Sequence, residues 1–328
     1  MKIHKLWNDY PDLSKDLTAT LVLMEKNINL SNKDVEKAIL TMIHSGGKLL
    51  RPAYLLLFSQ FGKDYDKDKA IALAAAMETL HTATLIHDDI VDEADIRRNL
   101  PTVQSQFGKD VAVYAGDYLF VSCFKLLADY ASSLKSIQLN AKSMEKILSG
   151  ELGQMDNRYD TSMTIDRYLA NISGKTAELF ALSCFIGAYE SGCSDIFANK
   201  AKQIGSSIGI TFQIIDDILD YSQTATSIGK PVLEDVKQGV YSLPLLYALK
   251  NNSQALLPYL EKREQMTDQD AEKVFQLVQE NGGIEAAQAL AETHTNKALK
   301  EISKLSTTTQ TVKDTLYALT KQLLTRIQ

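Results

Sequence analysis

Apolar residues recur every three or four positions along almost the whole chain, which is the pattern of helices with one buried face. Ser31-Asn32-Lys33-Asp34 reads as a helix start, with Val35, Ile39, Met42 and Ile43 following at helical spacing. The pattern predicts a helix from Pro52 to Phe61 and one long helix, Ala-rich in its middle, from Asp66 to Glu93. Asp110 to Tyr130 and Leu134 to Met155 read as two more. Ile165 to Tyr189 is helical with a break expected near Ser173-Gly174, and Ser194 to Tyr221 is another long helix. Gly229 to Pro244 is the most loop-like stretch of the second half. Four shorter helices are expected to fill Leu245 to Gln328, two of them separated by Asn281-Gly282-Gly283. A helix as apolar as Ile71 to Met77 must be surrounded on most sides by others. No linker rich in Pro, Gly or Ser divides the chain, and no strand-like alternation is sustained. The expectation is a single all-α domain, residues 1–328, of about a dozen helices.

Composition narrows this picture. The 328 residues are 45% hydrophobic, enough for a large core and against intrinsic disorder. With 16 Gly and 6 Pro the chain lacks the turn density of a sandwich or barrel. The balance of 35 basic and 41 acidic residues leaves no footprint of a nucleic-acid binder, so an anionic substrate must be met by local cations or metal. Cys123, Cys184 and Cys193 have no zinc spacing and are expected to be buried, reduced thiols of a cytoplasmic protein. Met1 to Trp7 holds no signal-peptide core, and no apolar run suggests a transmembrane segment.

Two acidic clusters carry the candidate chemistry. Asp88-Asp89-Ile90-Val91-Asp92 and Asp216-Asp217-Ile218-Leu219-Asp220 share the pattern Asp-Asp-x-x-Asp, 128 residues apart, each inside a predicted helix flanked by apolar residues. At about 100° per residue, Asp88 and Asp92 share a helix face, as do Asp216 and Asp220. Like charges at this spacing destabilise a helix by ~0.2–0.5 kcal/mol, and more if they point inward unpaired. A chain that does this twice needs a cation. Oxygen-only ligands select a hard ion, which argues against zinc and for Mg²⁺ held by one or two carboxylates plus phosphate and water.

Cationic and donor groups flank both clusters. Gly46-Gly47-Lys48-Leu49-Leu50-Arg51-Pro52 offers Lys and Arg beside a glycine pair. His81 lies two turns before Asp88, within about 20° of the same face. Arg97-Arg98 follow the first cluster, Lys175-Thr176 sit at the suspected helix break, Gln213 is one turn before Asp216, and Lys230 lies in the loop after the second cluster.

With these elements in order, the chain resembles the trans-isoprenyl (polyprenyl) diphosphate synthases. The two aspartate motifs, the Gly-Gly-Lys-x-x-Arg-Pro stretch, Gly150-Glu151…Gln154, Lys175-Thr176, Phe212-Gln213, Gly229-Lys230 and Gly282-Gly283-Ile284-Glu285 carry the likeness over roughly residues 40 to 300. The resemblance implies an isoprenoid synthase-type bundle of long helices around a deep central cavity, as a homodimer. It implies that Asp88, Asp92 and Asp216 bind three Mg²⁺ with an allylic diphosphate, and that Arg97, Lys175, Gln213 and Lys230 grip that diphosphate. Asp89, Thr176 and Asp217 join this catalytic set. Lys48, Arg51, His81 and Arg98 would hold isopentenyl diphosphate. The chain departs from the family at Leu233, where many members have Gly, and at Val240, where Lys is common. The loop that closes over the diphosphate is therefore expected to differ.

The implied chemistry follows from charge. Stabilising a departing diphosphate with metal, Lys and Arg in a site closed to water lets a carbon–oxygen bond break. The isopentenyl double bond then attacks the allylic cation and a proton is lost, the departing diphosphate being the best base. Product length should depend on space below the first motif. In short-chain members of the family bulky aromatics stand four and five residues before the first Asp; here these are Thr84 and Ala83. Thr84 is within about 40° of the Asp88 face, whereas Ala83 is assigned by the resemblance. The tunnel is expected to continue toward Leu80 and Met77, with Phe120 and Phe124 as its floor.

The likeness is strongest to medium- and long-chain bacterial enzymes, especially the catalytic subunit of heptaprenyl diphosphate synthases. These use farnesyl or geranylgeranyl diphosphate as primer and make quinone side chains, a lipid product for handing to the membrane. A shorter-chain synthase, and a heteromeric enzyme with a small helper subunit, stay open. A non-catalytic subunit would have lost aspartates or phosphate-binding cations, and none is missing here. A class I terpene cyclase would carry Asn/Asp-Asp-x-x-Ser/Thr-x-x-x-Glu, against Asp220 and Thr224 in this chain.

Overall fold

Helix formation begins upstream of the first predicted start. In the computed structural model, which describes residues 3–45, 47–221, 233–306 and 310–324, α1 (Pro11–Asn27) opens with proline in its first turn. It buries Leu13, Leu17, Leu21 and Met24, a repeat that the sequence already contained. Then come α2 (Lys33–Ile43), capped by the Asn32 side chain, and α3 (Leu50–Ser59). α4 (Lys67–Val91) is capped by Asp66. A minimal antiparallel hairpin follows, β1 (Ile96–Arg97) paired with β2 (Leu100–Pro101). α5 (Val103–Phe107), α6 (Lys109–Tyr130) and α7 (Leu134–Asp156) complete the first half.

α8 (Ile165–Ile172) does not break at Ser173-Gly174. It widens into a π-helical turn, Ser173–Ala177, and continues as α9 (Glu178–Glu190). After α10 (Asp195–Asp220) and the short α11 (Glu234–Lys237) stand α12 (Leu243–Leu260), α13 (Asp268–Glu280), α14 (Gly283–Ser303) and α15 (Gln310–Leu324). These last four are the shorter helices expected from the pattern. Thr267 and Asp270 cap α13 reciprocally, each side chain bonded to the other's backbone N–H.

Contacts divide the chain into two compact units, Met1–Ala141 with Leu182–Lys202, and Lys142–Ala181 with Gln203–Gln328. The first is built on α4, whose Ala72 to Met77 run has at most 1% exposure. Apolar surface all round the helix is thereby removed from water, as its composition demanded. Tyr54, Leu55 and Phe58 of α3 and Trp7 are buried in the same unit, and the Trp7 indole donates to the Lys48 carbonyl at 2.9 Å. In the second unit Phe180 packs on Phe212 and Tyr221 stacks on Phe275.

α6 is long and apolar enough by composition to cross a bilayer, and 44% of its apolar stretch is buried. Its buried residues, Ala112, Leu119, Cys123 and Leu127 among them, serve the first unit's core. Cys123 and Cys184 are buried and Cys193 half-buried, all as free thiols. Burial pushes the Cys123 thiol up to about 12.

Candidate active site

The first aspartate motif sits where α4 ends. Asp88 lies in the last turn, half-buried, and Asp92 caps the helix, its N–H bonded to the Asp88 carbonyl at 2.8 Å and its side chain in solvent. The central carboxylate differs from both: Asp89 is 2% exposed and accepts from Arg97 Nε at 2.6 Å. Burial raises its carboxyl while the Arg97 charge opposes the rise. Arg97, expected to grip substrate, thus commits its Nε to Asp89. The pair lines a pocket of about 380 Å³ together with Lys37, Met42, Val103 and Phe107.

The hairpin separates the two arginines. Its connecting residues Arg98 and Asn99 have φ of 53° and 63°, so the turn is of the two-residue type with both central residues left-handed. That conformation costs a non-glycine residue about 1–2 kcal/mol. It carries Arg98 away from Asp89, to Ser45 Oγ at 3.3 Å. Gly47 lets the guanidinium approach, because a Cβ there would meet Arg98 Nη1 at 2.7 Å.

Arg51, in the first turn of α3, lies with Nη1 3.0 Å from His81 Nε2. Burial, then the charges of Arg51, Arg98 and Arg97, hold His81 well below its ordinary value. The ring is neutral, and since guanidinium only donates, Nε2 is the acceptor and Nδ1 carries the proton. Lys48, Arg51, His81 and Arg98, assigned together from the sequence, all belong to the first unit.

The second motif repeats the design. Asp216 is half-buried and Asp220 exposed, while the central Asp217 is 8% exposed. Asp217 accepts from Tyr168 Oη at 2.6 Å and from Gln213 Nε2 at 2.9 Å, and Gln213 Oε1 accepts from Thr176 at 2.8 Å. Burial pushes the Asp217 carboxyl up to about 7, against the pull of those two donors. Lys175 and Thr176 both lie in the π-helical turn, a distortion that recurs at functional sites. Lys175 Nζ pairs with Glu151 Oε2 at 2.8 Å. Gly150 lies against that turn, where a Cβ would come within 2.8 Å of the Lys175 nitrogen. A pocket of about 160 Å³ is lined by Gln154, Asn171, Lys175, Gln213, Asp217 and Val240.

Lys230 and Thr224 fall outside the described residues. Leu233 is described: it caps α11 with φ 54°, the left-handed backbone that suits the glycine common there. Met77, Leu80 and Ala83, expected beside the growing tail, have no exposed surface in this structure. Thr84 is half-buried, its hydroxyl bonded to the His81 carbonyl. Phe120 stacks on His87, the ring centroids 5.2 Å apart. Phe124 follows one turn later, half-buried.

Sequence reading missed Tyr168 and Glu78 as members of these clusters, and named Glu151 only within a motif of the resemblance. Tyr168 precedes Lys175 by seven residues, two helical turns, which was its available signal. Glu78 is the lone charge within the apolar stretch from Ala70 to Leu80.

Among the described residues no three carboxylates, imidazoles or thiols converge to hold an ion by themselves. An oxygen donor set of this kind suits a hard divalent ion that takes its other ligands from phosphate and water.

Residues 32–279 match a family model described as "Polyprenyl synthetase". Heptaprenyl diphosphate synthase component 2 of Bacillus subtilis (strain 168) is 32% identical over 297 residues, covering 90% of this chain and 84% of the relative. A crystal structure of geranylgeranyl pyrophosphate synthase from Lactobacillus brevis ATCC 367 superposes with a TM-score of 0.93 at 41% identity, covering 98% and 99% of the two chains. Heptaprenyl diphosphate synthase from Staphylococcus aureus gives a TM-score of 0.88 at 33% identity, covering 96% and 98%.

Proposed function

The chain belongs to the polyprenyl synthetase family, and from that premise we propose that it is a prenyltransferase that elongates an allylic diphosphate with isopentenyl diphosphate to a medium or long chain. The observation that carries the reading is the doubled motif: each Asp-Asp-x-x-Asp holds its central carboxylate buried on protein donors and has one half-buried and one exposed outer carboxylate. Asp88 and Asp92 in the first unit and Asp216 in the second would hold divalent ions, Mg²⁺ in our reading, three of them with the allylic diphosphate bound. Bound there, the metal neutralises charge on the leaving diphosphate.

The chain's own residues supply the rest. Lys175, with Thr176 and Gln213 beside it, binds the allylic diphosphate from the π-helical turn; Arg97 and Lys230 join it. Asp89 and Asp217 orient these groups rather than the metal. Lys48, Arg51, His81 and Arg98 bind isopentenyl diphosphate, the neutral His81 steering Arg51. Carbon–oxygen cleavage gives an allylic cation, the isopentenyl double bond forms the new carbon–carbon bond, and the proton passes to the released diphosphate. No protein nucleophile is needed. Thr84, small and half-buried, lets the tail pass.

We assign the enzyme to the cytoplasm as a homodimer whose product goes to the membrane, as a quinone side chain. Val113, Tyr114 and Val121 of α6 are 39%, 75% and 66% exposed, an apolar face suited to a second copy. Two findings favour narrower alternatives. The name component 2 in the Bacillus relative points to a partner subunit. The Lactobacillus structure points to a shorter, geranylgeranyl product. One experiment separates them: purified protein alone is given farnesyl diphosphate, isopentenyl diphosphate and Mg²⁺, and product lipids are resolved by length. Products longer than geranylgeranyl support the main reading. A geranylgeranyl end point supports the shorter one, and no product without added partner supports the two-component enzyme.

A further inference from the structure

Glu78 is an acid on the helix that is otherwise most fully buried in apolar surroundings, with 9% of its surface exposed. An isolated carboxylate there would carry the desolvation penalty of an unpaired buried charge. It therefore requires positive groups, and the molecule supplies two. Glu78, Gly47, Thr82, Leu85 and Arg98 line one small cavity of the first unit. His81, three residues on and so on the same face of α4, holds Arg51 at 3.0 Å. Burial raises the Glu78 carboxyl, and the charges of Arg51 and then Arg98 pull it back. The effect is reciprocal: Glu78 is the strongest of the charges supporting the Arg98 cation, ahead of Asp89.

Arg98 is exposed, with its backbone held in the left-handed region, its guanidinium lying on Gly47 and a long hydrogen bond of 3.3 Å to Ser45, so few contacts fix its direction. Arg51 has a neutral partner in His81, which fixes direction without balancing charge. Both guanidiniums act on the buried Glu78 carboxyl, so this one acid is the charge common to the two cations.

We propose that Glu78 is a positioning residue that aims Arg51 and Arg98 together at the diphosphate of isopentenyl diphosphate. This rests on the reading that these arginines bind that substrate. Glu78 touches no reacting atom; it acts through the two cations. It also sets the spacing of the pair, which a diphosphate must match.

The test is kinetic. Glu78→Gln keeps the shape and removes the charge, and Glu78→Asp keeps the charge on a shorter stem. Each is compared with the parent by thermal denaturation and by varying the two substrates separately. Glu78→Gln is expected to raise KM for isopentenyl diphosphate about tenfold, with KM for the allylic substrate within about twofold of the parent. Glu78→Asp should recover part of that loss. In Arg98→Gln, adding Glu78→Gln should cost less than it does alone, because the two act as one unit. Equal rises in both KM values, full additivity in the double variant, or an unchanged isopentenyl KM in a folded Glu78→Gln would overturn the proposal. If Arg51→Gln and Arg98→Gln themselves left that KM unchanged, the underlying assignment would fall and the proposal with it. If they raised it and Glu78→Gln did not, the proposal alone would fall.

Discussion

Tyr168→Phe removes one oxygen from the second unit and leaves the ring, so its consequence can be worked from two bonds. The hydroxyl donates to Asp217 Oδ2 at 2.6 Å, with Tyr168 5% and Asp217 8% exposed. Without it, Asp217 keeps the Gln213 donor. A hydrogen bond to a charged group contributes about 1.5–3 kcal/mol and one between neutral groups about 0.5–1.5 kcal/mol. Which value applies depends on pH, because burial lifts the Asp217 carboxyl to about 7. In the unfolded chain it titrates near 3.9, roughly. The raised group binds its proton more tightly when folded, so its contribution to stability is complete below about pH 4 and is lost as pH rises through about 7. At pH 8.5 Asp217 is ionised and the lost bond is the strong kind; at pH 5.5 it is protonated and the loss is the weak kind. At about 2–4 °C per kcal/mol, Tyr168→Phe should lower Tm by about 3–12 °C at pH 8.5 and by about 1–6 °C at pH 5.5, with the larger loss at the higher pH. The measurement is thermal denaturation followed by circular dichroism with a chelator present. An equal loss at both pH values, or none, would refute the reasoning.

Three further outcomes follow from the same structure. Lys48→Ala should chiefly raise KM for isopentenyl diphosphate, whereas Lys175→Ala should raise the allylic KM and lower kcat, read by steady-state kinetics. Thr84→Phe should shorten the main product on a chromatogram with little loss of stability, because Thr84 is half-buried. Ala83→Phe should shorten it too but cost about 1–3 kcal/mol, since Ala83 has no exposed surface to give. Thr267→Ala should destabilise by about 0.5–2 kcal/mol in urea titration, through loss of the α13 cap.

The long helices were legible because their apolar runs and caps coincide: Asp66 and Asn32 stand where the sequence marked a start. The outer aspartates were legible for the same reason, as periodicity alone assigns their face. What holds the central aspartates was not. Asp89 meets Arg97 only because a hairpin turns at Arg98-Asn99, and that pair lacks the glycine by which such turns announce themselves. Tyr168 and Asp217 are 49 residues apart and meet through packing, which no local pattern encodes. The helix break expected at Ser173-Gly174 is a π-helical turn, since one extra residue per turn rotates Lys175 and Thr176 without ending the helix. The stacking of Phe120 on His87 joins two helices and has no local signature either.

The central claim is that both aspartate motifs serve one reaction, in which diphosphate leaves as a carbon–carbon bond forms. Its most direct test is to count diphosphate released and isopentenyl diphosphate consumed in one Mg²⁺-containing assay, for the parent, Asp88→Ala and Asp216→Ala. The account predicts one diphosphate per isopentenyl unit in the parent, with turnover nearly abolished in each variant at unchanged helical circular dichroism. Diphosphate release without isopentenyl consumption, or near-normal turnover in either folded variant, would contradict it.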